Sequence, residues 1–86
     1  MNKKIEEAVI EYPCTWQYKV IGSNFKKVEL AIKSVLTNRK HISKKSNMSS
    51  KGKYVSIHVL LDVENEDIRN SIFESFKQHE DIKMVL

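Results

Sequence analysis

The sequence predicts an α+β domain of order βαββαβ, with a four-stranded antiparallel sheet (order 4-1-3-2) and two helices on one face. Three observations lead there. Two stretches, 15–21 and 54–63, alternate apolar and polar residues at the period of a half-buried strand. Each is followed by a small polar residue and then by apolar positions three and four apart, as on one face of a helix. The chain has only 86 residues, and a chain that short buries only about 60% of its unfolded surface, which limits it to one core.

Residues 1–11 mix charges with a few apolar anchors, Ile5, Val9 and Ile10, and are expected to form a flexible leader ahead of a single domain spanning 12–86. Pro13 has no amide to give to a ladder and suits the position before strand one. In that strand Trp16, Tyr18 and Val20 share one face, and Gln17 and Lys19 the other. Gly22-Ser23-Asn24 breaks the alternation, with Ser23 or Asn24 available to cap the next helix through its side-chain oxygen. From Phe25 to Leu36 the residues Phe25, Val28, Ile32, Val35 and Leu36 make an apolar stripe, and Lys26, Lys27, Glu29 and Lys33 lie off it. Thr37-Asn38 is the expected exit, with Asn38 in the left-handed conformation.

Residues 40–48 hold few apolar groups and read as a weak edge strand guarded by lysines. Ser49-Ser50-Lys51-Gly52 supplies the turn of a hairpin into strand three. There Val55, Ile57, Val59, Leu61 and Val63 point to the core, and Tyr54, Ser56, His58, Leu60 and Asp62 point away. Asn65 caps helix two, and Glu66 and Asp67 suit the positive end of its dipole. Ile68, Ile72, Phe73 and Phe76 form its buried stripe as far as Lys77. Residues 82–86 read as a closing strand with Ile82, Met84 and Leu86 inward. Right-handed crossovers then give the ferredoxin-like arrangement, in which strands one and three are central neighbours.

Cys14 is the only cysteine, so an intramolecular disulfide is excluded and a reducing, cytoplasmic setting is expected. The N-terminus does not read as a secretory signal, and no apolar run reaches membrane-spanning length. Net charge is +4, but it is unevenly spread. Ten basic residues face Glu29 alone between Lys19 and Lys53, whereas seven acidic residues outnumber three basic ones from Tyr54 onward. Arginine, the better residue for forked phosphate contacts, occurs only as Arg39 and Arg69. Solubility and edge protection therefore account for the lysines better than a nucleic-acid groove does.

The segments 12–22 (Tyr12-Pro13-Cys14-Thr15-Trp16 through Gly22), 49–56 (Ser49-Ser50-Lys51-Gly52 through Ser56) and 79–86 (His79-Glu80-Asp81 through Lys83-Met84-Val85-Leu86) occur in an order that resembles the YbeD-like family of small uncharacterised bacterial proteins. The resemblance spans nearly all the chain after residue 11. It implies a ferredoxin-like fold similar to regulatory ACT-type domains, and no activity, catalytic residue or cofactor. Between Asn38 and Met48 the chain departs from the family pattern in being rich in lysine.

No catalytic residue, metal site or cofactor is expected. Cys14 has no base fixed beside it, the histidines His41, His58 and His79 lack ligand spacing, and Gly22 and Gly52 stand alone with no phosphate loop. A non-enzymatic regulatory or binding module is the leading expectation. Two places could serve it. The backbone of Gly22, Ser23 and Asn24 at the start of helix one could hold a small anionic ligand such as an amino acid. The open face of the sheet, with Gln17, Lys19, Tyr54, His58 and Leu60, could meet a protein partner or a second copy. RNA or DNA binding on that face and its lysine-rich edge is the alternative, weakened by the lack of a run of outward aromatics.

Overall fold

The computed structural model describes residues 10–46 and 53–86. Residues 1–9 of the expected leader over 1–11 and the Ser49–Gly52 turn lie outside the described residues. The elements follow the predicted order: β1 (Cys14–Gly22), α1 (Phe25–Leu36), β2 (Ile42–Lys45), β3 (Val55–Val63), α2 (Glu66–Gln78) and β4 (Met84–Val85). They form one four-stranded antiparallel sheet, β2-β3-β1-β4, with both helices against it, a ferredoxin-like α+β fold.

The long antiparallel pair β1–β3 is the frame. Tyr18 lies opposite Val59 and Val20 opposite Ile57, so inward side chains of both strands form matched rows under the helices. Tyr18, Val20, Val55, Ile57, Val59, Leu61 and Val63 are all buried there. Helix α1 adds Val28, Ala31, Ile32 and Leu36, and α2 adds Ile72 and Phe76. Each large side chain removed from water in this way contributes about 1.5–3 kcal/mol. The Phe76 ring meets Tyr18 edge-on at 5.5 Å between centroids, which fixes α2 over β1.

Both helices begin as their sequences require. Asn24 Oδ1 accepts from the Lys27 amide at 3.0 Å, and Asn65 Oδ1 from the Ile68 amide at 2.8 Å, so Asn24 is the cap and Ser23 is not. The exit of α1 corrects the expectation. Thr37, not Asn38, takes the positive φ, at 50°. Its amide donates to Lys33 O and its hydroxyl to Leu36 O, so the turn is closed through Thr37 itself.

The closing strand also corrects the expectation. Met84 and Leu86 are 53% and 63% exposed, whereas Val85 is buried. Ile82 is buried too, but it precedes the strand, in a turn where its amide donates to His79 O. Counting the period of two from Ile82 therefore starts one residue out of phase, and a one-residue slip moves every side chain to the other face. Pairing confirms the phase: Val85 lies opposite inward Val20, and Met84 opposite outward Ile21. The weak edge strand does form, as Ile42–Lys45 against β3, and every residue in it is exposed. Lys45 extends over the Phe25 ring at 5.1 Å, which holds this edge to the start of α1.

Candidate functional site

The helix-free face of the sheet is built in rows by the strand register. Lys44, His58 and Lys19 are cross-strand neighbours, and Leu86 extends the row through paired hydrogen bonds of 2.9 Å with Lys19. On one side lies the row Ile42, Leu60 and Gln17, and on the other Ser56, Ile21 and Met84. The face is thus a cationic band flanked by the apolar pairs Ile42 and Leu60 on one side and Ile21 and Met84 on the other. Ile42 is 62% exposed and Tyr54, just before β3, 48%. A shallow depression of about 490 Å³ adjoins Ile42 and Leu60, and another of about 440 Å³ lies between Ile21, Tyr54 and Met84.

Polar groups on this face are ordered by one another. Gln17 Nε2 lies 2.8 Å from His58 Nδ1, which joins the two side chains across the β1–β3 pair. The Thr15 hydroxyl donates to Asp62 at 2.8 Å. Of the five residues expected here from sequence, Gln17, Lys19, His58 and Leu60 share the face, and Tyr54 stands at its end. Sequence reasoning missed Ile42, Ile21, Met84 and Leu86, and it placed Val85 on this face although Val85 belongs to the core. Lys83 misled that reading: two residues before Val85, it shares Val85's parity and suggests the opposite phase, and in β4 no polar residue marks the outer positions.

The start of α1 has a different character. Gly22 is buried, and a Cβ there would collide with Val28 Cγ2 and lie 2.7 Å from the Asp81 carbonyl oxygen. Its glycine is needed for this close approach. Asn24 uses its side chain on the Lys27 amide, and Ser23 is exposed.

The groups with catalytic potential are dispersed. Cys14 is half-buried against the core edge. His41 Nδ1 pairs with Arg39 O, His58 with Gln17, and His79 Nδ1 accepts from the Asp81 amide. Among the described residues, no three His, Cys, Asp or Glu side chains gather as a metal site would require. Burial pushes the Tyr18 phenol up to about 12, partly offset by the charges of Arg69 and Arg39. Its hydroxyl donates to Arg69 O at 2.6 Å. No described helix is long and apolar enough to cross a membrane.

A profile of a protein family of unknown function, DUF493, matches residues 7–86. UPF0250 protein NMA1380 of Neisseria meningitidis serogroup A is 32% identical over 91 residues, covering 99% of this chain and 98% of the relative. An uncharacterized protein of Helicobacter pylori strain J99 is 32% identical over 80 residues, covering 93% of each. The solution structure of protein HP0495 from H. pylori superposes with a TM-score of 0.79 at 28% identity, over 94% of this chain and 89% of that one. Fold, family profile and relatives agree with the likeness carried by the three sequence segments, and the chain belongs to the DUF493 (UPF0250, YbeD-like) family of small proteins of unknown function.

Proposed function

We propose that the protein is a cytoplasmic, non-enzymatic binding module that regulates or assists another protein, with the helix-free face of the sheet as its contact surface. The observation that carries this reading is the exposure of Ile42 and Met84 on opposite flanks of the Lys44–His58–Lys19 band and of Leu86 at its end. Apolar flanks reward burial, and the lysines select a partner that sets carboxylates between its own apolar groups. Face-to-face packing of two identical copies would oppose their lysine bands, which favours an acidic partner over a homodimer. A photo-cross-linking residue placed at Leu60, compared with one at the exposed Ser34 on α1, tests this in cells. A discrete adduct from position 60 that disappears with Lys19→Glu and Lys44→Glu is the expected result. Equal adducts from both positions, or none, refute it.

The same cationic band supports a second reading, RNA or DNA bound to the open face with stacking on Tyr54. A gel-shift titration at low salt tests it, and binding must weaken steeply as salt rises. The ACT-type resemblance supports a small-anion variant of the module at Gly22, Ser23 and Asn24. Calorimetric titration with amino acids and small organic acids tests that variant, and no heat across the panel ends it.

A further inference from the structure

The described residues cover the outer edge of β1 only in part. β4 pairs with Val20 and Ile21, and its last ladder bonds join Leu86 to Lys19. In an antiparallel strand alternate residues direct their backbone groups to the same side. Gln17 and Thr15 therefore aim N–H and C=O outward beside Lys19, and among the described residues nothing bonds to them there. The two edges of the sheet are treated differently. β2 carries Lys44 and Lys45, whereas the run Cys14-Thr15-Trp16-Gln17-Tyr18 has neither a charge nor a proline. Natural sheets ordinarily guard an exposed edge with such residues.

Beneath this edge, between β1 and α2, lies a cleft of about 370 Å³ lined by Trp16, Tyr18, Arg69, Phe73 and Leu86. Trp16 and Phe73 are only partly buried, because no β4 side chain reaches this far along β1. Arg69 is held rigidly in the cleft. Its guanidinium lies 4.5 Å from the Trp16 ring centroid, and Nη1 donates to the Tyr12 hydroxyl at 3.0 Å. Its nearest described carboxylate is Glu66 at 3.9 Å, whose side chain is 68% exposed. The Arg69 side chain itself is 18% exposed, so its charge is set in a mostly dry site with a weak counter-ion.

We propose that this edge receives an extended segment of another protein by strand addition, with an acidic side chain of that segment on Arg69. The backbone groups of Thr15 and Gln17 that no described residue pairs call for an extended chain, since a strand returns both donors and acceptors at their spacing. Residues of the added strand opposite Tyr18 and Trp16 face the cleft, as Val85 does opposite Val20. One of these positions is apolar, against Phe73, and the other acidic, against Arg69. The edge borders the helix-free face at Gln17 and Leu86, but the backbone groups of β1 and Arg69 take no part in the contacts proposed there, so neither proposal depends on the other.

The test uses the full chain and a displayed library of random octapeptides, followed by synthesis of the enriched sequence. Enriched peptides should pair an acidic with an apolar residue two positions apart. Binding should slow hydrogen exchange at the Thr15 and Gln17 amides at least tenfold, and Arg69→Gln should weaken it at least tenfold. Ser34→Asp, on the exposed side of α1, should leave affinity unchanged. A peptide N-methylated on the nitrogens facing β1 should fail to bind, while methylation of the alternate set is tolerated. This last comparison needs no protein variant and so survives any folding defect of Arg69→Gln. No enrichment, enrichment without an acidic residue, or unchanged exchange at Thr15 and Gln17 overturns the proposal. So does slow exchange in the free protein that is lost when residues 1–9 are removed, because the chain would then be covering its own edge.

Discussion

Replacing Tyr18 by Phe separates the two roles of its hydroxyl, a hydrogen bond to helix α2 and an alkaline titration. The ring is buried and meets Phe76, and the variant keeps both features. At neutral pH it loses the 2.6 Å bond to Arg69 O, which costs about 1 kcal/mol. Above pH 10 the ranking changes. The folded-state phenol is raised to about 12, against 10.0 in the unfolded chain, so the unfolded state releases its proton first. Stability from this group is therefore complete below about pH 10 and is lost as pH rises toward 12. Linkage with these values removes about 1.4 kcal/mol by pH 11 and about 2.3 kcal/mol by pH 12. Wild type should be the more stable protein at pH 8, and the two should cross close to pH 11. Urea unfolding followed by the fluorescence of Trp16, the single tryptophan, measures both between pH 8 and 11.5. A difference in stability that is the same at pH 8 and pH 11 would refute the reasoning.

Other substitutions test particular elements. Gly22→Ala sets a methyl group against Val28 and the Asp81 carbonyl, and should destabilise by about 1–3 kcal/mol in denaturant titration. Thr37→Gly should raise the melting temperature, because φ 50° and ψ −105° suit glycine and strain a β-branched residue; the gain is about 0.5–1 kcal/mol after loss of the hydroxyl bond to Leu36 O. Val85→Ala should cost about 2 kcal/mol, while Met84→Ala stays within about 0.5 kcal/mol of wild type, a contrast that equal effects would contradict.

Architecture was legible in the sequence because it depends on local patterns that repeat. The alternation from Val55 to Val63 and the stripe from Phe25 to Leu36 are long enough for the period to be unambiguous, and Asn24 and Asn65 mark helix starts by a side-chain hydrogen bond made within three residues. Gln17, Lys19, His58 and Leu60 could be assigned to one face for the same reason. Short elements lack that redundancy. The ladder assigns only two residues to β4, among neighbours that are nearly all apolar, so only the pairing of Val85 with Val20 fixed which side is buried. The same holds for Ile42, whose face follows from its position opposite Leu60.

The sequence by itself determined the order of elements, the core rows of β1 and β3, both helix starts and the family. Tertiary structure alone decided that Gly22 is closed over by Val28 and Asp81, that Arg69 lies on Trp16, and that among the described residues nothing pairs with the outer edge of β1 beyond Lys19. The reason is range: periodicity and capping act within a turn or a strand. Tyr12 and Arg69 are 57 positions apart, and their meeting depends on how far β4 runs along β1 and where α2 crosses it.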